Sequence, residues 1–503
     1  MRVQITNNLL YPLYLIIFTL YIFVAATSLG FDDEFFNILI YEQYGLRGYQ
    51  FAQIYDTHPP GSYISNAILF NLFGSWEYVR IFSAILCSVF IVFLSRHLSK
   101  KHGKETELIF LILLAFNPAF LIWCTSIRWY SYLMCILLWA LILPKPKGQY
   151  YWFKFSVAMY FMALYSYMTF ILFAPIFYLY YANDRRSTNV KIKYILFFGS
   201  IFFILYFPQM KVFFEYSILN TGYPNQILHT IAYFYASQVS NQGIFPFSFS
   251  SFLSLIGFLT VVASIFLSNK ISFIKERYFI SYALMNLFLI LSSFASRLRS
   301  HLFAIPFYAL WISTSINSIK TKKTFYIGLL LICVANVNGI YNILNKNFVT
   351  KNSLNINVNL AENFIEKETK SCKGKTIVIS YDPKLSWHIN NKNIYDIYSP
   401  YLNYKNEFIK NDVSCLIVLN TFGGISKEKK LELQTILESA KISRSEAIQI
   451  DNSYKYKKLF IKEYPKNIIS ADVYQNINID QLNIWIKGIC TTNENHDNLY
   501  CRL

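Results

Sequence analysis

An acidic cluster follows the first apolar segment of the chain and is the feature best suited to chemistry. Asp32, Asp33 and Glu34 are consecutive, and Asp56 belongs to the same polar stretch. Carboxylates beside a long apolar segment are costly to remove from water, so the cluster indicates a bound cation, a proton or a hydrogen-bonding substrate. A helix cap is the alternative interpretation, and it fits Asp32 better than Asp33.

A rigid segment closes the same stretch, with the sequence Asp56-Thr-His-Pro-Pro-Gly-Ser-Tyr63. Its two prolines restrict the backbone, and the second can open the helix that follows. His58 is therefore held in a fixed direction, where its imidazole can donate to an anion or titrate near neutrality. A purely structural turn is the alternative interpretation.

Three arginines lie where apolar runs begin. Arg128 precedes Trp129 and Tyr130, whereas Arg297 and Arg299 precede a later run. Guanidinium groups at these positions can bind a phosphate through paired hydrogen bonds. Anchoring to lipid headgroups stays open as an alternative, because the membrane boundary is also where an arginine is least costly.

The elements that carry these residues are membrane helices. The chain has 503 residues, of which 54% are hydrophobic and 15% charged, against about 25% charged in soluble domains. This excludes an ordinary soluble enzyme and also a disordered chain. A crossing needs about 20 apolar residues, which predicts about eleven crossings. They are 8–30, 78–96, 107–125, 128–144, 150–165, 167–183, 194–210, 246–268, 278–296, 301–319 and 324–344.

The net charge of +18 follows from topology rather than from a nucleic-acid partner. Of the Lys and Arg residues before position 345, 18 fall in alternate loops and 6 in the others. This asymmetry indicates a cytoplasmic N-terminus, with the acidic cluster and the three arginines on the opposite face. The assignment depends on dividing 150–183 at Ser166, because one long helix there would invert every later loop.

The chain changes character at about residue 345, where long apolar runs stop. Thr376–Ser380 and Cys415–Leu419 are short apolar runs typical of buried parallel strands, and 427–440 has a helical pattern. We therefore predict a transmembrane domain over 1–344 and a small periplasmic or extracellular α/β domain over 345–503.

Eight cysteines divide evenly between the two predicted domains. Those in apolar runs are most simply small packing residues: Cys87, Cys124, Cys135 and Cys333. The others lie on the predicted oxidising side, where disulfides are allowed: Cys372, Cys415, Cys490 and Cys501. Pairing of 372 with 415 and of 490 with 501 stays open against four free thiols.

In order and spacing, these motifs resemble the GT-C superfamily of integral-membrane glycosyltransferases. The resemblance is to the bacterial branch related to protein O-mannosyltransferases and lipid A aminoarabinose transferases, and it covers about residues 1–320. The matching segments are Asp33-Glu34, His58-Pro59-Pro60, Arg80, Arg128-Trp129-Tyr130, and Arg297-Leu298-Arg299 with Pro306. Tyr165-Ser166-Tyr167-Met168 lacks the histidine that relatives often have there, and the C-terminal domain has no matching motif.

The resemblance implies transfer of a sugar from a polyprenyl-monophosphate donor to a glycolipid, glycan or protein on the outer face, with inversion. Within it, Asp33 is the catalytic base, and Glu34 or Asp56 holds the acceptor or a divalent cation. Four residues are expected to bind the donor phosphate: His58, Arg128, Arg297 and Arg299. Tyr130 is a candidate for contact with the sugar.

Two other classes of function stay open. A transporter or flippase of lipid-linked glycans also has many helices, but it usually places ionisable residues near the membrane midplane. A polymerase or ligase would share the architecture and use a diphosphate-linked donor.

Overall fold

The computed structural model describes most of the first 344 residues and parts of the remainder. The described residues are 7–27, 61–144, 150–184, 249–269, 276–291, 298–319, 322–344 and 364–371, the strands between 375 and 475, and short pieces within 38–48 and 192–239.

The described part of the first 344 residues is helical. It begins with α1 (Asn7–Thr27), α2 (Gly61–Phe73), α3 (Trp76–His102), α4 (Lys104–Leu114), α5 (Pro118–Cys124) and α6 (Trp129–Leu141). It continues with α7 (Tyr151–Tyr165), α8 (Thr169–Asn183), α9 (Phe249–Asn269) and α10 (Arg277–Leu291). A helical turn (Leu298–His301) and a 3-10 turn (Leu302–Ala304) lead into α11 (Ile305–Ser315), and α12 (Lys322–Leu344) follows.

Local sequence sets both ends of α3. Ser75 Oγ accepts a hydrogen bond from the backbone N–H of Glu77 at 3.2 Å, which satisfies a free donor of the first turn. Glu77 in the first turn and Lys100 and Lys101 in the last turn complement the helix dipole. Gly103 ends the helix with a φ of +94°, a conformation that favours glycine.

A pair of glycines brings α9 and α12 together. A Cβ on Gly257 would lie 2.6 Å from the carbonyl oxygen of Gly328, and a Cβ on Gly328 would lie 2.8 Å from that of Gly257. These distances leave no room for a side chain at either position, as in the small-residue interfaces of membrane helices. Close backbone packing therefore holds α12 against α9.

Four described helices, α1, α3, α9 and α12, are long and apolar enough to cross a membrane. Each exposes large apolar side chains, among them Leu15, Phe93, Leu267 and Val337. Soluble monomers rarely expose contiguous apolar faces of this kind, whereas lipid covers them. The helices are those of a multi-pass membrane protein.

The predicted division at Ser166 is confirmed, because α7 ends at Tyr165 and α8 begins at Thr169. The total of about eleven crossings stays a prediction, and the predicted crossing at 194–210 falls almost entirely outside the described residues.

The predicted crossing at 107–125 is not one straight helix, because α4 and α5 meet at a bend of 74°. Asn117 causes the break: its side chain accepts a hydrogen bond from the backbone N–H of Phe120 at 3.0 Å and caps α5. Pro118 then starts α5, where its missing N–H is not needed.

The chain divides into two compact units, residues 1–28 with 49–345, and residues 29–48 with 346–503. The second unit contains a five-stranded sheet in the order β2-β1-β3-β5-β4. Its strands are β1 (Lys375–Ser380), β2 (Ile394–Asp396), β3 (Val413–Asn420), β4 (Lys441–Gln449) and β5 (Ile468–Gln475).

The sheet is mixed. Strand β1 pairs in parallel with β2 and β3, whereas β5 pairs antiparallel with β3 and β4. The two apolar runs identified in the sequence are β1 and β3, and they are parallel neighbours as expected. The predicted helix at 427–440 lies outside the described residues, so the α/β domain as a whole stays a prediction.

The cysteines of the helical unit are free thiols: Cys87, Cys124 and Cys135 are buried, and Cys333 is partly buried. This agrees with their predicted packing role. The remaining four lie outside the described residues, apart from the backbone of Cys415 in β3, so their pairing stays open.

Candidate active site

Arg128 occupies the turn between α5 and α6, and its side chain is only 5% exposed. The backbone there is extended, with φ −123° and ψ 169°, and the residue caps the N-terminus of α6. The first turn of α6 contains no acidic residue. Arg128 therefore adds a positive charge at the positive end of the α6 dipole, a position that favours an anion.

Hydroxyl side chains close the turn that holds Arg128. Thr125 Oγ1 and Ser126 Oγ each donate to a carbonyl oxygen near the end of α5 at 2.9 Å. Ser131 Oγ donates back to the carbonyl oxygen of Arg128, also at 2.9 Å. These bonds satisfy carbonyl groups that the short helices leave without a partner, so the local sequence itself specifies the turn.

Asn66 fastens α2 to the same turn. Its Nδ2 donates to the carbonyl oxygen of Ile127 at 2.8 Å, and its Oδ1 accepts from Tyr132 Oη at 2.5 Å. The side chain is 2% exposed, and a buried amide needs such partners. Because Ile127 directly precedes Arg128, the amide of Asn66 helps to fix the backbone position of Arg128.

Tyr165, the last residue of α7, contacts Tyr132 of α6 and Ser65 of α2. Its ring stacks on that of Tyr132, with centroids 5.3 Å apart and planes 22° apart, and its Oη lies 2.7 Å from Ser65 Oγ. The next residue, Ser166, is fully buried and accepts a hydrogen bond from the backbone N–H of Met168 at 3.1 Å. The segment where the family resemblance expects a histidine is thus a structural joint between α7 and α8.

Gly61 brings the start of α2 into backbone contact with α7. A Cβ at this position would lie 2.3 Å from the carbonyl oxygen of Leu164 and 2.9 Å from its carbonyl carbon. The obstacle is backbone, so no rotation of a side chain can relieve it. In the sequence, α2 follows His58-Pro59-Pro60 directly, and glycine is therefore required at the junction.

We expect Gly61→Ala to push α2 away from α7 and to lower the free energy of unfolding by about 1–3 kcal/mol, as overpacking commonly does. Thermal unfolding of the purified protein in detergent measures the change. Gly199→Ala is the matched control, because a Cβ there meets nothing within 4 Å. Equal unfolding temperatures for the two variants would contradict the close contact.

Aromatic rings connect the Arg128 turn to a distant part of the chain. The Trp129 ring lies nearly parallel to that of Phe303, with centroids 5.8 Å apart and planes 13° apart. Phe303 follows Arg299 by four residues. This contact brings the start of α6 together with the 3-10 turn that leads into α11.

Tyr130 packs in the same aromatic group and is buried. Its ring meets that of Trp123 edge-on, with centroids 4.9 Å apart, and lies 4.3 Å from that of Trp129. Edge-to-face pairs of this kind hold rings in defined orientations. The group forms a rigid aromatic cluster at the Arg128 turn, in which Trp129 and Tyr130 are buried and Trp123 is partly exposed.

Among the predicted site residues, the structure describes the side chains of Arg128 and Tyr130. The backbone of Arg299 lies in the helical turn Leu298–His301. The others fall outside the described residues: Asp33, Glu34, Asp56, His58 and Arg297. Their roles stay predictions.

Sequence patterns do not identify Asn66 or Tyr132 as part of this region. One signal was present: Asn66 is an amide within an otherwise apolar helix, and buried amides need specific partners. Nothing in the sequence names those partners, because Ile127 and Tyr132 lie more than 60 residues away.

The part of the chain that the structure describes contains no group of three His, Cys, Asp or Glu side chains able to hold a metal ion. The carboxylates of the acidic cluster, for which a divalent cation was considered, are not among these residues.

The fold and the site together describe a multi-pass helical membrane protein with a buried arginine at a helix start. Two solved structures share the fold, those of ArnT from Cupriavidus metallidurans bound to undecaprenyl phosphate and in the apo state. Each superposes with a TM-score of 0.51 at 10% identity. The first match covers 94% of this chain and 99% of ArnT, and the second covers 93% and 98%.

No protein-family model and no curated protein sequence matches the chain. At 10% identity, the likeness to ArnT shows the fold alone. This agrees with the fold that the sequence motifs indicate.

Proposed function

We propose that the protein transfers a sugar from a polyprenyl-monophosphate donor to an acceptor on the outer face of the membrane. The observation that carries the proposal is the buried guanidinium of Arg128 at the N-terminus of α6. The fold adds support, because the ArnT structure that it resembles is bound to undecaprenyl phosphate.

Arg128 is suited to the donor phosphate. Negative charge grows on the phosphate as the bond to the sugar breaks, and a positioned guanidinium stabilises it. Polyprenyl phosphate is already a good leaving group, so charge stabilisation matters more than protonation by a strong acid. Arg297, Arg299 and His58 complete the phosphate site in this proposal. The stacking of Trp129 on Phe303 supports it by linking the Arg128 turn to the segment that follows Arg299.

The acidic cluster supplies the other half of the reaction. Asp33 removes the proton from the acceptor hydroxyl, and Glu34 and Asp56 orient the acceptor or bind a divalent cation. Direct attack by the acceptor on the anomeric carbon inverts its configuration. A retaining reaction needs a second carboxylate as nucleophile on the same bond, and the sequence shows no such arrangement.

Tyr130 lies in the aromatic cluster at the Arg128 turn, together with Trp123 and Trp129. Aromatic rings pack well against the apolar faces of sugars. In the proposal, Tyr130 contacts the transferred sugar while the guanidinium holds its phosphate.

The purified protein can be tested with a polyprenyl-phosphate sugar labelled on the lipid, with cell-envelope lipids and glycans as acceptors. We expect release of labelled polyprenyl monophosphate that depends on added acceptor. An unchanged donor that only moves between the leaflets of a vesicle would instead indicate a transporter. Turnover limited to a diphosphate-linked donor would indicate a polymerase or ligase.

A further inference from the structure

A cavity of about 770 Å³ opens at the far end of α6 from Arg128. Trp139 and Ile142, at the end of α6, line it, together with residues of α1, α3, α4 and α7. Because α6 has 13 residues, the two sites are separated by about 20 Å along its axis. The size falls within the roughly 300–1,000 Å³ usual for ligand pockets.

Basic side chains outnumber acidic ones in the cavity lining. Arg96 and Lys100 of α3 line it and are exposed, and Lys154 of α7 lines it from another side. Within the part of the chain that the structure describes, Arg96 and Lys100 make no hydrogen bond or ion pair. The Nε2 of His97, also in the lining, is buried and has no hydrogen-bond partner among the described residues.

The one carboxylate in the described lining is already engaged. Glu107 is buried and accepts hydrogen bonds from the hydroxyl of Tyr14 and, at 3.3 Å, from Ser95 Oγ. Among the described residues, no ion pair joins this carboxylate to Arg96 or Lys100. The described lining therefore has three basic groups, Arg96, Lys100 and Lys154, against one carboxylate, a charge balance that favours an anionic ligand.

Aromatic rings hold the cations in place. The guanidinium of Arg96 lies 5.9 Å from the ring centroids of Tyr11 and Tyr14. Lys154 Nζ lies 4.8 Å from the Trp139 ring and donates to the carbonyl oxygen of Ile142 at 2.6 Å. Cation–π contacts of this kind fix the charged groups without neutralising them.

The rim of the cavity is suited to lipid. Tyr11 and Phe93 line the cavity, and both are more than half exposed, at 53% and 57%. They belong to α1 and α3, two of the helices long enough to cross the membrane. Basic groups beside exposed aromatic side chains match an amphiphile, whose phosphate binds the cations while its acyl chains lie along the rings.

We propose that this cavity binds the phosphate headgroup of an anionic lipid from the cytoplasmic leaflet. The side follows from the charge distribution, because Arg96, Lys100 and Lys154 all belong to the loops and helix ends that the positive-inside rule places in the cytoplasm. The proposal does not depend on the proposed transfer reaction, which uses the opposite end of α6.

Native mass spectrometry of the protein in detergent tests the site, with phosphatidylglycerol, phosphatidylcholine or inorganic phosphate added in separate titrations. We expect one phosphatidylglycerol to bind in clear preference to phosphatidylcholine. The double variant Arg96→Gln/Lys100→Gln should weaken its binding about 30-fold, from about 1 kcal/mol for each charge near the membrane surface. Binding of phosphatidylcholine should hardly change.

Lys101→Gln/Lys323→Gln is the matched control, because it removes the same charge from exposed lysines outside the cavity lining. The control should bind phosphatidylglycerol like the unmodified protein. Equal losses of phosphatidylglycerol affinity in the two double variants would overturn the proposal, since the total charge of the protein would then explain the binding. The lipid proposal would also be overturned if inorganic phosphate saturated the cavity while the protein bound phosphatidylglycerol no better than phosphatidylcholine. That result would indicate a soluble anion as the ligand.

Discussion

Asp33→Asn is expected to lower sugar transfer by about 10²–10⁴-fold, the usual contribution of a general base. Asparagine has nearly the shape of aspartate but cannot accept the proton of the acceptor hydroxyl. Membrane insertion and the unfolding temperature should not change, because the substitution removes a charge without adding bulk. The rate at which labelled polyprenyl monophosphate is released measures the effect.

Asp32→Asn is the matched control for this prediction, because it neutralises the neighbouring carboxylate in the same acidic cluster. The sequence favours a capping role for Asp32, so transfer by this variant should remain within about tenfold of the unmodified protein. Near-normal turnover by Asp33→Asn would remove Asp33 as the base. Equal losses in both variants would indicate a general charge effect of the cluster.

Arg128→Ala is expected to lower transfer by about 10²–10³-fold, the cost of removing one group that stabilises developing charge. It should also weaken donor binding more than acceptor binding, because the guanidinium is assigned to the phosphate. Steady-state kinetics with donor and acceptor varied separately measure both effects. Unfolding temperatures establish that α5 and α6 keep their turn, which Thr125, Ser126 and Ser131 close independently of the Arg128 side chain.

Arg128→Lys separates a charge effect from a geometric one. Lysine keeps the positive charge but lacks the planar fork that binds two phosphate oxygens at once. We expect it to recover part of the activity lost in Arg128→Ala. Equal losses of donor and acceptor affinity in Arg128→Ala would argue against a phosphate role.

Signals in the sequence were sufficient to place several helix ends. Ser166 marks the break between α7 and α8, and Arg128 directly precedes α6. The division at Ser166 was predicted from the charge asymmetry of the loops, and the start at Arg128 from the apolar run that follows it. The structure adds that hydroxyl side chains bond to backbone groups at both positions.

Length rules explain one agreement and one difference between the sequence and the structure. Helix α2 has 13 residues, fewer than the roughly 17 needed for a crossing, so the helix that the sequence predicts after Pro60 was not counted as a crossing. The run at 107–125 is long enough to cross, yet Asn117 and Pro118 divide it into α4 and α5. In this run, total hydrophobicity concealed the cap and the turn that divide it.

The pairings that build the candidate site could not be predicted from the sequence. Asn66 binds the carbonyl of Ile127, and Trp129 stacks on Phe303 some 170 residues later. Such contacts depend on how helices pack, and apolar patterns alone do not distinguish one partner helix from another. The sequence indicated candidate residue types, and the packing determined which of the described residues meet.

A cryo-electron microscopy structure of the protein with bound undecaprenyl phosphate tests the central claim most directly. We expect the phosphate within hydrogen-bond distance of the Arg128 guanidinium, about 3 Å, and the Asp33 carboxylate on the same non-cytoplasmic face of the membrane. A phosphate bound away from Arg128, or an Asp33 side chain on the cytoplasmic face, would contradict it.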